Sequence, residues 1–207
     1  MSQFFQIHPE NPQARLVKQA VEIIKKGGLA VLPTDCAYVL VCHIGDKSAM
    51  ERMRSLRQLS EKHNYTLLCR DLSELSNYAK VDNATYRQLK QHTPGAFTFI
   101  LNATKEVPKR LIQPKKKTIG MRVPDNAILL AILEELNEPL MSTSLIMPGD
   151  DLPLSDPYDI RQTLEHSLDL VIDGGYCGLE ATTVLDLTDE EVVLLRQGVG
   201  DAAAFLE

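Results

Sequence analysis

The sequence contains no run of the ~18 or more apolar residues that a bilayer-crossing helix needs. Its polar start, MSQFFQIHPENPQ, lacks the basic and apolar regions of a signal peptide. A cytoplasmic protein with no membrane partner is therefore expected. Cysteine is scarce: the 4 present (Cys36, Cys42, Cys69, Cys177) show no CxxC spacing, and three lie in apolar, strand-like segments. They are expected to be reduced core thiols rather than a disulfide framework or a zinc site. There is no GxxxxGK[ST] phosphate loop and no HExxH or HxxxH helix, and the 5 histidines (His8, His43, His63, His92, His166) share no ligand spacing, so no metal is expected. Gly198-Val199-Gly200 with Ala203 formally matches a dinucleotide fingerprint, but too few residues follow for the βαβ unit that such a loop serves.

What is present is ordinary globular composition: 207 residues, 44% hydrophobic and 24% charged. This length suits one domain over residues 1–207 with a sizeable core. The net charge of −6 conceals a segregation. Residues 1–124 carry 20 Lys plus Arg against 10 Asp plus Glu, whereas 125–207 carry 2 against 18. A strong basic patch on an acidic protein can attract phosphates locally while the bulk stays soluble; the alternative is that the two halves simply pair through solvated surface charges.

Helix and strand signals alternate along the chain. Asn11-Pro12-Gln13 opens onto Leu16, Val17, Ala20, Ile23 and Ile24 and closes at Gly27-Gly28, which predicts a helix with Asn11 as cap. Strands are predicted at 29–32, 38–44, 65–69, 96–102, 119–123, 140–142, 170–173, 182–187 and 192–196. Helices are predicted from Asp46 to about Gln58, after Asp71, and near 83–92, 126–136 and 157–166. The pattern implies an α/β (α+β-like) fold, a mixed sheet flanked by helices, with antiparallel pairing among the closely spaced last strands. No internal repeat, low-complexity tract or linker interrupts it.

Two basic clusters stand out. One is Lys105 to Lys117, containing Lys109, Arg110, Lys115, Lys116 and Lys117, whose prolines suggest a mobile loop. The other is Arg52, Arg54, Arg57, Lys62 and His63, at a helix end and the loop beyond. Each alone is an ordinary solvated face; together they suit electrostatic capture of nucleic acid or nucleotide. Hydroxyl-rich turns adjoin strands at Ser142-Thr143-Ser144 and Ala181-Thr182-Thr183, where hydroxyls and amides can hold a phosphate or carboxylate, or be plain turn residues. Arg122 and Arg196 each end a predicted strand, a position from which a guanidinium can clamp an anion in bidentate fashion.

In this order these pieces resemble the YrdC/YciO family, over the whole chain. The family's P-T-[DE]-x-x-[YF]-G turn reads Pro33-Thr34-Asp35-Cys36-Ala37-Tyr38 with Val39 in place of glycine, and its P-G-x-x-T is intact as Pro94, Gly95 and Thr98. R-x-[PT] reads Arg122-Val123-Pro124, and S-T-S-A-N keeps Ser142, Thr143 and Ser144 but has Ile146 for asparagine. K-x-R reads Arg57-Gln58-Leu59, and the last two elements read Ala181-Thr182-Thr183-Val184 with Asp186, and Leu195-Arg196-Gln197-Gly198.

The resemblance implies a YrdC-type twisted mixed sheet, largely antiparallel in its C-terminal part, with a concave basic surface. Family members make threonylcarbamoyl-adenylate from threonine, bicarbonate and ATP for a tRNA modification, and others are described as binding double-stranded RNA or tRNA. Framework positions survive here and nucleotide-handling positions do not, so the expectation is a monomeric paralogue that binds RNA or a nucleotide-like ligand, with synthase activity weak or absent and no cofactor required. The alternatives are a working synthase using ATP with Mg2+, in which Thr34, Tyr38 and Arg122 hold threonine and Arg57, Ser144 and Arg196 hold ATP, or an enzyme acting on a related carbamoyl or acyl phosphate. The implied ligand-binding set is Thr34, Tyr38, Arg57, Thr98, Arg122, Ser142, Ser144, Thr182 and Arg196. Arg52, Arg54, Lys62, Lys109, Arg110, Lys115, Lys116 and Lys117 form the electrostatic surface for nucleic acid.

Overall fold

The computed structural model describes residues 1–206. In chain order the elements are β1 (Gln3–Gln6), α1 (Ala14–Lys25), β2 (Ala30–Leu32), β3 (Val39–His43), α2 (Lys47–Arg57), β4 (Thr66–Leu68), α3 (Leu72–Tyr78), α4 (Asn83–His92) and β5 (Phe97–Asn102). A single 3₁₀ turn at Lys109–Leu111 precedes β6 (Thr118–Arg122), α5 (Ala127–Leu136), β7 (Leu140–Ser144), α6 (Pro157–Leu164), β8 (Leu170–Asp173), β9 (Thr183–Asp186), β10 (Val193–Arg196) and α7 (Ala203–Leu206).

Helix starts follow from side-chain caps. Asp46, Asp71, Asp82 and Asn126 each accept from the backbone N–H three residues on, and Asp156 accepts from Tyr158 N. Each satisfies an orphan donor of the first turn. The helix expected to begin with Asn11 as cap starts later, at Ala14, with no side-chain cap at Gln13. The cause is local: His8 Nδ1 accepts from the amides of Glu10 and Asn11, and Gln13 Oε1 accepts from His8 N, so residues 8–13 close a turn of their own. Strand β1 and helix α7 went unpredicted; β1 is short, and it joins the sheet only by parallel pairing with β8, 167 positions away in sequence.

The strands form one ten-stranded mixed sheet in the order β1-β8-β2-β3-β7-β4-β6-β5-β9-β10. Pairings β2–β3, β3–β7, β7–β4, β6–β5 and the closing hairpin β9–β10 are antiparallel. Pairings β1–β8, β8–β2, β4–β6 and β5–β9 are parallel.

Side chains alternate across a pleated strand, so each face has its own core. One face carries Val31, Leu40, Leu67, Phe99, Met121, Met141 and Leu185, covered by Met53 of α2, Leu75 of α3, Leu89 of α4 and Ile160 of α6. The opposite face is covered only in part. Helices α1 and α5 bury Val17, Val21, Ile24, Ile128, Ile132 and Leu133 against Leu32, Val41, Leu68, Leu140 and Ile172. Beyond Leu68 and Leu140 this cover stops, and the same face of β7, β4, β6, β5 and β9 lies open.

The Lys105 to Lys117 segment, expected to be a mobile loop, is anchored. Val107 and Leu111 are buried, Lys117 takes a left-handed φ of 59°, and Gln113 receives the amide of Lys117 at its carbonyl and that of Lys116 at Oε1. Cys36, Cys42 and Cys69 are buried and Cys177 half-buried, all as free thiols.

Candidate functional site

The open part of the sheet is a cleft, and the two-residue period of the strands determines what lines it. Thr98 and Ile100 of β5, Thr118, Gly120 and Arg122 of β6, Ser142 and Ser144 of β7, and Val184 and Asp186 of β9 all face it. The residues between them, such as Phe99, Met121, Met141 and Leu185, join the other core. A sheet face without helices over it must be solvated, which is why most of its positions here are hydroxyls or charges, with Ile100, Gly120 and Val184 among them. Gly120 keeps the floor low: a Cβ there would lie 2.7 Å from Thr66 Oγ1.

The cleft has two lobes, of about 380 Å³ and about 410 Å³. They meet at Val39, Arg122, Ser144, Thr182 and Arg196, which line both. The first lobe is rimmed by His63, Gln113 and Lys116; the second adds Cys36, Tyr38, Ile146, Asp151, Glu180 and Gln197. Two guanidiniums thus stand at the waist of a cleft large enough, at the volumes usual for small-molecule sites, to take a ligand with two parts.

Each is held by protein groups. Arg122, 5% exposed, pairs through Nη2 with Asp35 Oδ1, and its Nε is buried without a partner. Arg196 donates to the Thr182 carbonyl from Nε at 3.1 Å and from Nη2 at 2.9 Å, with the Thr182 hydroxyl a further 3.3 Å contact. That hydroxyl in turn shares a 2.8 Å hydrogen bond with Thr98 Oγ1. Burial lowers the Arg196 pKa from its usual value, without threatening a charge that guanidinium retains in proteins. Beneath this row, Thr183 donates to Gly200 O and accepts from Gly198 N at 2.9 Å, pinning the turn that follows Arg196.

Other residues implied by the sequence spend their polar groups on the protein itself. Thr34 donates to Ala37 O at 2.6 Å and accepts from Cys36 N at 2.9 Å, so its hydroxyl closes the turn that carries Asp35. Tyr38 donates to Gly175 O at 2.6 Å; its ring lines the second lobe while burial drives its phenol pKa far up. Arg57 donates from Nε to Ser144 O at 2.7 Å, bracing β7 from outside the cleft lining. Ser142 donates to Thr66 O at 3.1 Å. Burial pushes the Cys36 thiol up to about 11, against the pull of Arg122.

The basic residues divide. Lys116 lines the first lobe, and Arg54, Lys109 and Arg110 line a neighbouring cavity. Lys62, Lys115 and Lys117 are exposed outside these cavities. Arg52 is tied to Asp169 at 2.9 Å, at the end of β8 remote from the cleft lining.

Sequence reasoning passed over Thr66, Thr118, Gly120 and Gln113, and gave His63 and Lys116 only a surface part. The signal was available in the alternation of Thr118-Ile119-Gly120-Met121-Arg122, but nothing in the sequence says which sheet face lacks helices. His63 sits at the rim with Nε2 3.2 Å from Thr143 Oγ1 and its ring edge-on to Tyr65, centroids 5.1 Å apart. Burial, and then the charge of Arg57, depress its pKa below the usual 6.5, which favours a neutral imidazole at pH 7. Among the described residues no group of three or more His, Cys, Asp or Glu side chains is placed to hold a metal ion, and no helix is long and apolar enough to cross a membrane.

The family model described as telomere recombination, Sua5/YciO/YrdC, matches residues 22–198. The chain is 59% identical over 206 residues to YciO of Escherichia coli (strain K12), covering 100% of each, and its structure matches the crystal structure of E. coli YciO with a TM-score of 0.96 over 100% of both chains. The threonylcarbamoyl-AMP synthase of Nitrosococcus oceani is 30% identical over 159 residues, 76% of this chain and 85% of that protein. The fold is also that of P. abyssi Sua5 complexed with L-threonine, at a TM-score of 0.87 and 23% identity, covering 95% of this chain and 58% of that one.

Proposed function

This chain belongs to the Sua5/YciO/YrdC family, and from that premise we propose that its two-lobed cleft binds a nucleotide, or a nucleotide-like segment of RNA, with threonylcarbamoyl-AMP synthesis weak or absent. The observation that carries this reading is the placing of Arg122 and Arg196 at the waist, between a hydroxyl-floored lobe and a lobe of mixed charge. Guanidiniums fixed by protein partners meet a phosphate or carboxylate without the entropy cost of ordering a flexible side chain. The exposed lysines of 115–117 beside the first lobe suit the phosphates of a longer nucleic acid.

The weakness of synthesis is argued from two positions. Leu59, where the family's second basic residue is expected, packs against the core beneath α2, and Ile146, where asparagine is expected, puts an apolar side chain into the second lobe. Charge developing on transferred phosphate needs preorganised donors, and losing one such donor costs about a hundredfold or more in rate.

A second reading, a working synthase, is favoured by one specific feature. The second lobe brings Asp151 and Glu180 to the same space as Arg122 and Arg196, a pairing of charges that suits the two ends of an amino-acid zwitterion. ATP would then enter with its own magnesium.

Calorimetric titration with AMP, ATP, threonine and a tRNA tests both. Nucleotide or RNA binding that weakens steeply with salt, with no pyrophosphate released from ATP, threonine and bicarbonate together, is the expected result. Release requiring all three substrates jointly establishes the synthase, and silence in every titration removes the cleft as a nucleotide site.

A further inference from the structure

Aromatic residues are few in this sequence, yet three of its 5 phenylalanines meet at one point. Phe205 of α7 packs on Phe97 and Phe99 of β5, with ring centroids 5.3 Å and 5.7 Å away, and on His92 at the end of α4, at 4.2 Å. Phe205 is 5% exposed and Phe99 fully buried. The three phenylalanines belong to the core on the covered face of the sheet, and neither they nor His92 line the cleft.

Their neighbours in the chain do reach the waist. Phe97 immediately precedes Thr98, whose hydroxyl is bonded to that of Thr182. The backbone of Gly200 rests on the Phe97 ring: a Cβ added at Gly200 would lie 2.6 Å from Phe97 Cε1 and 2.8 Å from Ala96 O. Ala96 O accepts from Thr183 N at 3.0 Å, and Gly200 O accepts from Gln197 Nε2 at 2.7 Å as well as from Thr183. Val199 N donates to Ala181 O at 3.0 Å. Arg196 thus leads into a turn held on one side by the start of β9 and on the other by the ring of Phe97, against which Phe205 packs.

Helix α7 spans only Ala203–Leu206, with Asp201 Oδ1 accepting from Ala203 N at 3.0 Å. One turn of helix has no stability of its own, because nucleation fixes several residues for a single hydrogen bond. Docking of Phe205 is therefore what holds α7 in place, and aromatic rings prefer offset or edge-on contacts, which fix direction as well as bury area.

We infer that Phe205 is a positioning residue for the cleft: docked among Phe97, Phe99 and His92, it holds the turn after Arg196 and so keeps that guanidinium on the Thr182 carbonyl, ready for an anionic ligand. Phe205 touches no ligand itself. The inference rests on the nucleotide reading of the cleft. By linkage, a ligand whose affinity depends on docked α7 stabilises that docking by the same factor.

The test compares the full natural chain with Phe205→Ala, Phe205→Leu and Leu136→Ala. The last is a control for general loss of stability, since Leu136 is buried in the core on the opposite face. Arg196→Lys identifies the Nε–H resonance of Arg196, which the bond to Thr182 O protects from exchange with water. Without ligand, at a temperature where every variant is folded, that proton and the Gly198 amide are expected to exchange about tenfold or more faster in Phe205→Ala. Phe205→Leu, which refills most of the space, should be intermediate, and Leu136→Ala should match the natural protein. Titration with AMP should show affinity lower by about three- to tenfold in Phe205→Ala, the effect of ordering one long side chain, and unchanged in Leu136→Ala. If Phe205→Ala fails to fold, faster exchange in Phe205→Leu than in Leu136→Ala supports the inference and equal exchange overturns it. Where AMP binds the natural protein, three results overturn the positioning role and leave the nucleotide reading standing: exchange in Phe205→Ala as slow as in the natural protein, equal loosening in Leu136→Ala, or faster exchange with undiminished AMP affinity. If AMP binds none of these proteins while exchange follows the expected pattern, the nucleotide reading falls and the hold of Phe205 on Arg196 stands.

Discussion

Arg122 and Asp35 form an ion pair across 87 positions of sequence, joining the end of β6 to the turn before β3 at the waist of the cleft. Both side chains are largely shielded, with 6% and 14% of their surfaces exposed. Removing one partner of such a pair strands the other charge, at a typical cost of about 3 to 5 kcal/mol. Asp35→Ala is therefore expected to lower unfolding free energy by about that much in a urea titration. Arg122→Ala should cost a similar amount and also weaken any anionic ligand more than tenfold, measured where the variant remains folded. Loss of affinity without loss of stability would mean that Asp35 is not a structural partner.

Arg196 differs in that a carbonyl, not a carboxylate, holds it, so its positive charge is not cancelled within the protein. Arg196→Lys keeps the charge and loses the fork that grips Thr182 O while presenting donors to the cleft. Hydrogen bonds to charged groups contribute about 1.5 to 3 kcal/mol, so nucleotide affinity should fall by about tenfold or more, and the loss of the bonds to Thr182 O should lower the melting temperature as well. Unchanged affinity would place the ligand elsewhere.

Thr183 is fully buried, and its hydroxyl serves both the Gly200 carbonyl and the Gly198 amide. Thr183→Val preserves shape but leaves the Gly198 amide without its acceptor, while the Gly200 carbonyl keeps Gln197 Nε2 at 2.7 Å, at a cost of about 1 to 3 kcal/mol. Because that turn positions Arg196, ligand affinity should drop with stability. Thr183→Ser, which retains the oxygen, should recover most of both.

The pKa of His63 is depressed on folding, so the unfolded chain takes up its proton first as pH falls. Stability from this group is complete above about pH 6.5 and declines as pH drops from there toward the folded pKa, with a slope of at most ~1.4 kcal/mol per pH unit. His63→Gln removes this dependence. Glu74, whose pKa burial raises, acts in the opposite sense but equally in both proteins. The natural protein is thus expected to lose stability relative to His63→Gln between pH 7.5 and 5.5 in matched urea titrations, and parallel curves would refute the buried-imidazole account.

Much of this is legible in the sequence. Asp46 and Asp71 are short polar caps, and each begins a helix where that local chemistry demands. Phe97, Phe99 and Leu101 announced a strand by their alternation, and the hydroxyl between them, Thr98, is in the cleft. What stayed hidden was long-range. The parallel pairing of β5 with β9 is set by contacts more than 80 positions apart, and it brings Thr98 to Thr182. The extent of α1 and α5 over one face, which decides where the sheet stays open, is likewise a packing outcome with no local signature. For the same reason the sequence does not show that Arg57 braces the Ser144 carbonyl or that Lys116 rims the first lobe.

Leu59 and Ile146 can be tested together, since both stand where the family resemblance expects polar groups. Ile146 is half-buried in the lining of the second lobe, so Ile146→Asn exposes an amide to the cleft without opening a core cavity. Leu59 packs at the margin of the core, and an arginine stem can cover the same apolar surface while its head reaches solvent or ligand. The double variant is expected to fold, and to raise the pyrophosphate release that depends jointly on ATP, threonine and bicarbonate by about a hundredfold if each restored donor meets developing charge. An unchanged rate would turn attention to Val39. Its side chain fills the wall between the two lobes where the family's glycine is expected, and it is only 7% exposed. Adding Val39→Gly would widen the waist at a cost in stability, so recovery of turnover only in the triple variant would show that shape, and not the missing donors alone, restrains the chemistry.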